Sequence, residues 1–307
     1  MNKTNYPKSF SHIGITVPNI KKAVEFYEEV MGWYIIMQPS TVKKEKETAP
    51  KTTDTLETQE AEVETDSDFE FIPPSTIQIA SIFKKVGLTY DASILNDPSK
   101  VNTYIDKFSQ SLNFGVYSSD LSVCVLNDQA EAAKEYLMVV KELSGKIGLQ
   151  TVLNDASVID RFNNNLNNQD SIVEILFYVH ENTEEYISQN GQDDLAVIYY
   201  TGAWIEGMYF GALKAKEDAT NAELSYLITE QISIARTMQK GLLNLETKTD
   251  DTDDLAVAIG ELISIYDNFD TIISLGDDAE YLDVQLTELE INTLSDVIVE
   301  LRNTITG

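Results

Sequence analysis

The residues best able to do chemistry cluster in one stretch, Thr201–Ala215 (TGAWIEGMYFGALKA). Trp204, Glu206 and Tyr209 lie in it, a carboxylate between two aromatic rings. Such a set suits a ligand site, with Glu206 as the polar anchor and the rings as apolar walls. Ala203, Gly207, Gly211 and Ala215 recur every four residues and so share one helical face. Glycine inside a helix costs ~1 kcal/mol against alanine, so this stripe needs a reason. Either a second helix packs closely against it, or the face borders a ligand cleft. An earlier stretch offers Ser111, Gly115 and Ser119 at the same spacing, which favours packing. Asp120 follows as the nearest counterpart of Glu206. Two facing carboxylates could act as an acid–base or metal-binding pair, but nothing in the sequence shows that they meet.

Other candidates are thinner. His180 and Glu184 stand one helical turn apart, a metal-compatible spacing, but with no second histidine nearby they read more simply as a surface pair. Asp250, Asp251, Asp253 and Asp254 could attract calcium. They lack the EF-hand spacing and its closing glutamate, so they read as a solvated helix start. Cys124, the one cysteine, sits in the apolar stretch from Leu121 to Leu126. It reads as a small buried hydrophobe and excludes an intramolecular disulfide framework. There is no P-loop, no GxGxxG after a strand, no GxSxG and no Cys/His pair at motif spacing.

The elements that must position these residues are helices. From Phe69 onward apolar residues recur at three and four. Pro73-Pro74-Ser75 opens a segment ending at Gly87, and Asp97-Pro98-Ser99 opens one through Val101, Tyr104, Ile105, Phe108 and Leu112. Asn127 or Asp128 caps a helix closed by Gly148; Asp155 and Asp170 start the next two, the second closed near Gly191. Four more follow at about 193–216, 220–246, 252–273 and 286–305, with Asp193, Thr220 and Asp253 among their caps. Consecutive helices on short loops predict a mainly α fold, an antiparallel helical bundle or array. Phe114-Gly115-Val116-Tyr117 is similar to Thr201-Gly202-Ala203-Trp204, 87 residues on, and Leu126 meets Leu213 at the same offset. This predicts two weakly repeated halves, about 98–190 and 192–273. Chance likeness among helices of similar composition is the competing explanation.

The front of the chain differs. Residues 1–46 carry seven lysines and four glutamates, whereas the whole chain has net charge -29. The change of sign marks a boundary between units. It falls at a stretch of Lys, Glu, Thr and Asp, residues 43–68, which cannot bury enough apolar surface to order itself and reads as a flexible, disordered linker. Before it, Phe10–Val17 reads as a strand, Asn19 caps a helix with Ile20, Ala23, Val24, Tyr27 and Val30 inward, and Trp33–Met37 reads as a second strand. The expected domains are therefore a βαβ fragment (1–42), a linker (43–68) and an all-helical domain (69–307).

The stretch SHIGITVPNIKKAVEFYEEVMGW resembles the opening of a glyoxalase-type domain of the vicinal oxygen chelate superfamily. The matching positions are His12, Gly14, Val17, Pro18, Ala23, Phe26, Tyr27, Gly32 and Trp33. The resemblance implies a βαβββ module, a divalent metal cofactor with His12 as a ligand, and lyase or isomerase chemistry. The module is incomplete here: after Val42 the chain enters the linker, and the later strands do not appear. A metal site needs about three or four protein ligands, and the whole chain holds two histidines. The helical part, about 69–275, resembles uncharacterised helical proteins of the bacterial cell envelope, through LNFGVYSSDLS, RFNNNLNNQDS and GAWIEGMYFG. That resemblance implies a lipoprotein-like location and no known chemistry.

Composition bounds the function. A charge of -29 and no basic stripe exclude nucleic-acid binding and leave a basic protein partner open. No apolar run approaches the roughly 18 residues of a membrane span. The N-terminus lacks the apolar core of an export signal, which predicts a cytoplasmic protein; the cell envelope is the alternative from the relatives of the helical part. The leading expectation is a non-catalytic binding or structural module with no cofactor. The alternative is a glyoxalase-like, metal-dependent lyase or isomerase.

Overall fold

The computed structural model describes residues 75–85, 87–153, 156–275 and 284–307. Contacts divide the chain into two units, Met1–Ser67 and Asp68–Gly307, and every described residue belongs to the second. The expected βαβ fragment, the linker and His12 lie outside the described residues. Among the described residues there are helices joined by turns and loops, and no strand.

Eleven α-helices follow one another among the described residues: α1 (Thr76–Lys85), α2 (Lys107–Leu126), α3 (Ala130–Ile147), α4 (Gln150–Leu153), α5 (Ala156–Asn164), α6 (Gln169–Asn190), α7 (Asp193–Glu217), α8 (Ala222–Leu243), α9 (Asp250–Asp267), α10 (Asp270–Ile273) and α11 (Glu288–Thr306). A 3-10 turn, Pro98–Asn102, precedes α2. The helix expected from Asp97 to Leu112 is thus two pieces. Lys100 and Asp97 close the 3-10 turn, the chain then extends, and Asp106 starts α2 afresh by accepting from Ser109 N at 2.8 Å. The break turns Val101 and Tyr104 into the core and leaves Ile105, expected on the same stripe, 86% exposed.

Helix ends follow capping chemistry, close to where the sequence places them but not always at the same residue. Asn127 ends α2 rather than starting α3, because Asp128 takes the left-handed conformation (φ 57°) between them. Asn168 caps α6 and Asn221 caps α8, each accepting from the backbone N–H three residues on. Thr249 with Thr252, and Thr287 with Glu290, form reciprocal capping boxes for α9 and α11. Gly148 and Gly191 close α3 and α6 at positive φ, as expected. The helix expected over 252–273 is split by Asn268 and Phe269 into α9 and α10.

Two helices form the centre. α7 is apolar on nearly every side, with buried residues from Leu195 to Ala215, and a helix without a polar face must be surrounded. It packs on α2, α11, α8, α1 and α6. α2 is buried almost without a break from Ser111 to Val125 and packs on α7, α3, α1 and α6. α2 and α7 meet backbone to backbone. A Cβ on Gly115 would stand 1.9 Å from Tyr199 O, and one on Gly202 would stand 2.0 Å from Leu112 O. No larger residue fits either place without parting the helices. Ser119 adds a hydrogen bond across the crossing, Oγ to Ala203 O at 3.0 Å.

Candidate functional site

The polar centre lies on one side of this crossing. Glu206 of α7 is wholly buried, and Arg302 of α11 is 7% exposed. Arg302 grips it with two hydrogen bonds, Nε to Oε2 at 2.9 Å and Nη2 to Oε1 at 3.0 Å. This parallel fork is the strong form of a carboxylate–guanidinium pair. Tyr209, one turn after Glu206, lies half-buried with the Arg302 guanidinium 4.5 Å from its ring centre. The ring thus faces a cation within the molecule.

Asp120 of α2 completes the centre and is also wholly buried. Its Oδ2 accepts from Asn96 N at 3.1 Å, while Oδ1 accepts from no described donor. The two carboxyls that the sequence leaves apart do meet. Burial raises the pKa of Asp120 well above its usual range, the Glu206 charge raises it further, and Arg302 and Asn96 only partly oppose this. Burial raises Glu206 too, against the pull of Arg302. Burial works against the charge on Arg302, but Glu206 and Asp120 outweigh it. One guanidinium neutralises one carboxylate, and a second buried carboxylate with no counter-ion is costly. Glu206 is therefore the anion, and Asp120 keeps its proton and turns it toward Glu206.

The same centre fixes a loop and a helix end. The segment before the 3-10 turn is held by its backbone: Ile94 O takes Arg302 Nη2, Asn96 O takes the Tyr136 hydroxyl, and Asp97 O takes the Tyr117 hydroxyl. The last carbonyls of α11 are held by Asn113 on Ile305 O, Tyr104 on Thr306 O and Lys100 on Gly307 O. Asn96 Nδ2 donates to the Tyr104 hydroxyl at 2.9 Å and closes the network.

The other side of the crossing is apolar and hollow. A cavity of about 60 Å³ lies among α2, α3, α6 and α7, with α4, α5 and Thr76 of α1 at its ends. Phe114, Leu121, Val140, Phe162 and Ile175 supply apolar wall. Tyr199 lines it at 4% exposure, its ring centre 4.0 Å from that of Tyr200 and its hydroxyl hydrogen-bonded to the Tyr200 hydroxyl. Tyr200 donates to Glu184 Oε1 at 2.9 Å and sits 3.2 Å from His180 Nδ1. His180 and Glu184, read from sequence as a surface pair, are thus tied inward by Tyr200. Burial lowers the His180 pKa, against the pull of Glu184 and Glu181, so the imidazole is neutral at pH 7.

Of the residues singled out from sequence, Glu206 and Tyr209 join the polar centre. Trp204 is 1% exposed, with its indole N–H unpartnered among the described residues. Cys124 is a buried free thiol whose pKa burial pushes up, so it is inert as a nucleophile. Asp250, Asp251, Asp253 and Asp254 are exposed at the start of α9. No group of three His, Cys, Asp or Glu able to hold a metal occurs among the described residues. No helix among them is long and apolar enough to cross a membrane. Sequence reasoning misses Arg302, although a signal for it exists. It is one of three arginines in the chain, set four residues after Ile298 on the inward stripe of α11.

Residues 9–83 match the Glyoxalase/Bleomycin resistance protein/Dioxygenase superfamily. The resemblance read at residues 8–42 stands, and the match covers about a quarter of the chain. Its last eight residues, Thr76–Phe83, are helix α1 of the helical unit, with Ile77, Ile79, Ala80 and Ile82 buried and Thr76 Oγ1 2.9 Å from Ser122 Oγ. The match therefore runs past any strand-built module into the helical unit. No curated protein and no solved structure matches the chain, so the likeness to cell-envelope proteins gains no support.

Proposed function

We propose that the helical unit is a non-catalytic binding or structural module. One observation carries this reading: its acid–base constellation, Asp120, Glu206 and Arg302, is sealed in the core and used up in holding α2, α7 and α11 together. A general acid or base must reach its substrate, and these groups reach only one another. The two halves of the unit are read as related by duplication. Gly115 faces Tyr199 O and Gly202 faces Leu112 O, and both pairings keep the 87-residue offset of the sequence likeness.

A second reading, a metal-dependent lyase or isomerase, is favoured by the match at residues 9–83. Metal analysis of the purified full chain separates the two. The first reading expects no stoichiometric metal and the same melting temperature with and without chelator. Stoichiometric divalent metal that is lost on His12→Ala would overturn it in favour of the second.

A further inference from the structure

We propose that the groove where α4 and α5 meet the outer side of α6 binds a short, neutral oligosaccharide. The proposal rests on the binding form of the proposed function and names its ligand class.

The groove measures about 310 Å³. Small-molecule sites hold roughly 300–1,000 Å³. Tyr178, Asn182, Tyr186 and Gln189 recur at four, four and three along α6 and form one wall of it. That wall alternates aromatic rings with amides. Tyr178 is 42% exposed, a large aromatic surface left to water. Arg161, outside the groove, braces its ring with the guanidinium 5.3 Å from the centre. A sugar ring suits a tyrosine face, which is negative, because each sugar C–H is made positive by the oxygen on its carbon. Tyr186 repeats the ring about 12 Å further along the helix axis, the reach of a short oligosaccharide rather than of one sugar.

The polar groups fit hydroxyls. A sugar hydroxyl both donates and accepts, so neighbouring hydroxyls want a donor and an acceptor side by side. Gln189 and Glu185 supply this. Gln189 Nε2 donates to Glu185 Oε1 at 2.9 Å, which orients both heads and leaves the Gln189 carbonyl, its second amide hydrogen and Glu185 Oε2 for a ligand. Asn182 is oriented in the same way, donating to Tyr178 O at 2.7 Å and keeping Oδ1. Heads already held lose less freedom on binding. Charge and polarity remove other classes. Glu185 repels an anion, and no lysine or arginine lines the groove. A cation finds one carboxylate, already engaged by Gln189. Val152 and Val158, the aliphatic part of the lining, are too small a surface for a lipid or an amphipathic helix.

The test mixes the full chain with maltotriose, cellotriose and triacetylchitotriose, and with trigalacturonate as the charged control. Binding is read by calorimetry and by methyl NMR of Val152 and Val158. At least one neutral trisaccharide should bind saturably with shifts at both valines, and trigalacturonate should not. Tyr178→Ala removes the exposed ring and should weaken that sugar about tenfold or more, whereas Tyr178→Phe keeps the stacking face and should change affinity less than about threefold. Gln189→Ala should weaken it about three- to tenfold. Both positions are exposed, and an unchanged melting temperature shows that the variants fold. Absence of binding by all three neutral sugars, equal or tighter binding of trigalacturonate, or equal affinity in Tyr178→Ala would each overturn the proposal. So would a proline-rich peptide that binds the same valines more tightly than any of the sugars. The non-catalytic reading is decided by metal content, so it and the sugar site fail by different measurements.

Discussion

The two sides of the α2/α7 crossing are built from interleaved residues of the same helices, yet they end in opposite states. On α2, Asn113, Tyr117 and Asp120 serve the polar centre, while Phe114, Ser118 and Leu121 line the cavity. On α7, Glu206 and Tyr209 serve the polar centre, while Tyr199 and Tyr200, about two turns earlier, line the cavity. The polar side is packed around the Arg302–Glu206 ion pair, with only the neutral oxygens Asn96 Oδ1 and Asp120 Oδ1 short of a donor, and the apolar side keeps a hollow of about 60 Å³. The difference follows from what each side has to lose. A buried ion with a missing partner costs several kcal/mol, so the charged side tolerates no gap. A small void among apolar chains forfeits only dispersion contacts, on the order of 24 cal/mol per Å³.

The comparison can be broken most severely at Arg302. Arg302→Ala leaves Glu206 buried without its counter-ion and should destabilise the protein by about 3–5 kcal/mol, read as a fall in the urea midpoint. Replacing Arg302 and Glu206 together by Met and Leu should recover most of that loss, since an apolar pair of similar volume is close to neutral. Failure of the double variant to recover would mean that the pair does more than neutralise itself.

The crossing is the next target. Gly202→Ala gains about 1 kcal/mol of helix propensity. It also forces a methyl to 2.0 Å from Leu112 O, a backbone atom that cannot step aside. A net loss of about 1–3 kcal/mol is expected by thermal or urea unfolding. Gly115→Ala should cost a similar amount, and the two should be strongly non-additive because one parting of the helices relieves both.

The third test is pH, and it separates the sides by sign. Asp120 binds its proton more tightly folded than unfolded. Stability from this group is complete below the ordinary carboxylate range. It falls as pH rises, by up to about 1.4 kcal/mol per unit, until the folded pKa is passed. His180 on the cavity side binds its proton less tightly folded, so its effect is the reverse: stability rises with pH up to about 6.5 and is flat above. Subtracting the Asp120→Asn profile from that of the wild-type chain over about pH 5–9 cancels His180 and should leave the falling limb. A flat difference would show that Asp120 is ionised in the fold.

The smallest effect belongs to the cavity. Tyr199→Phe removes a buried hydroxyl whose partner is the Tyr200 hydroxyl, which is itself held by Glu184, and should change stability by no more than about 1 kcal/mol. A larger loss in urea or thermal unfolding would show that the Tyr199–Tyr200 pair holds the cavity wall more firmly than a single neutral hydrogen bond does.

Much of the helical part is legible in the order of its residues. The span of α7 follows to within a residue, because an apolar run that long between Asp193 and Lys216 has no other solution. Gly148 and Gly191 mark their helix ends because only a left-handed residue closes them cheaply. The break at Thr103–Asp106 is not legible, since the spacing of Val101, Tyr104 and Phe108 suits a continuous helix equally well. The small-residue stripe is a true sign of close packing on α2. On α7 a backbone-to-backbone approach occurs at Gly202, which lies outside the stripe of Gly207 and Gly211.

The helical class, the acidity, the main helix spans and the 87-residue likeness are all written in the linear chain, because each is a property of neighbouring residues and their period. That Glu206 is an internal ion rather than a ligand's anchor emerges only on packing. Its partner lies 96 residues away in sequence, on a helix with an ordinary amphipathic pattern. The proton on Asp120 and the hollow beside Tyr199 emerge in the same way. Those states depend on burial and on which charges come within reach, and both arise only when distant helices pack.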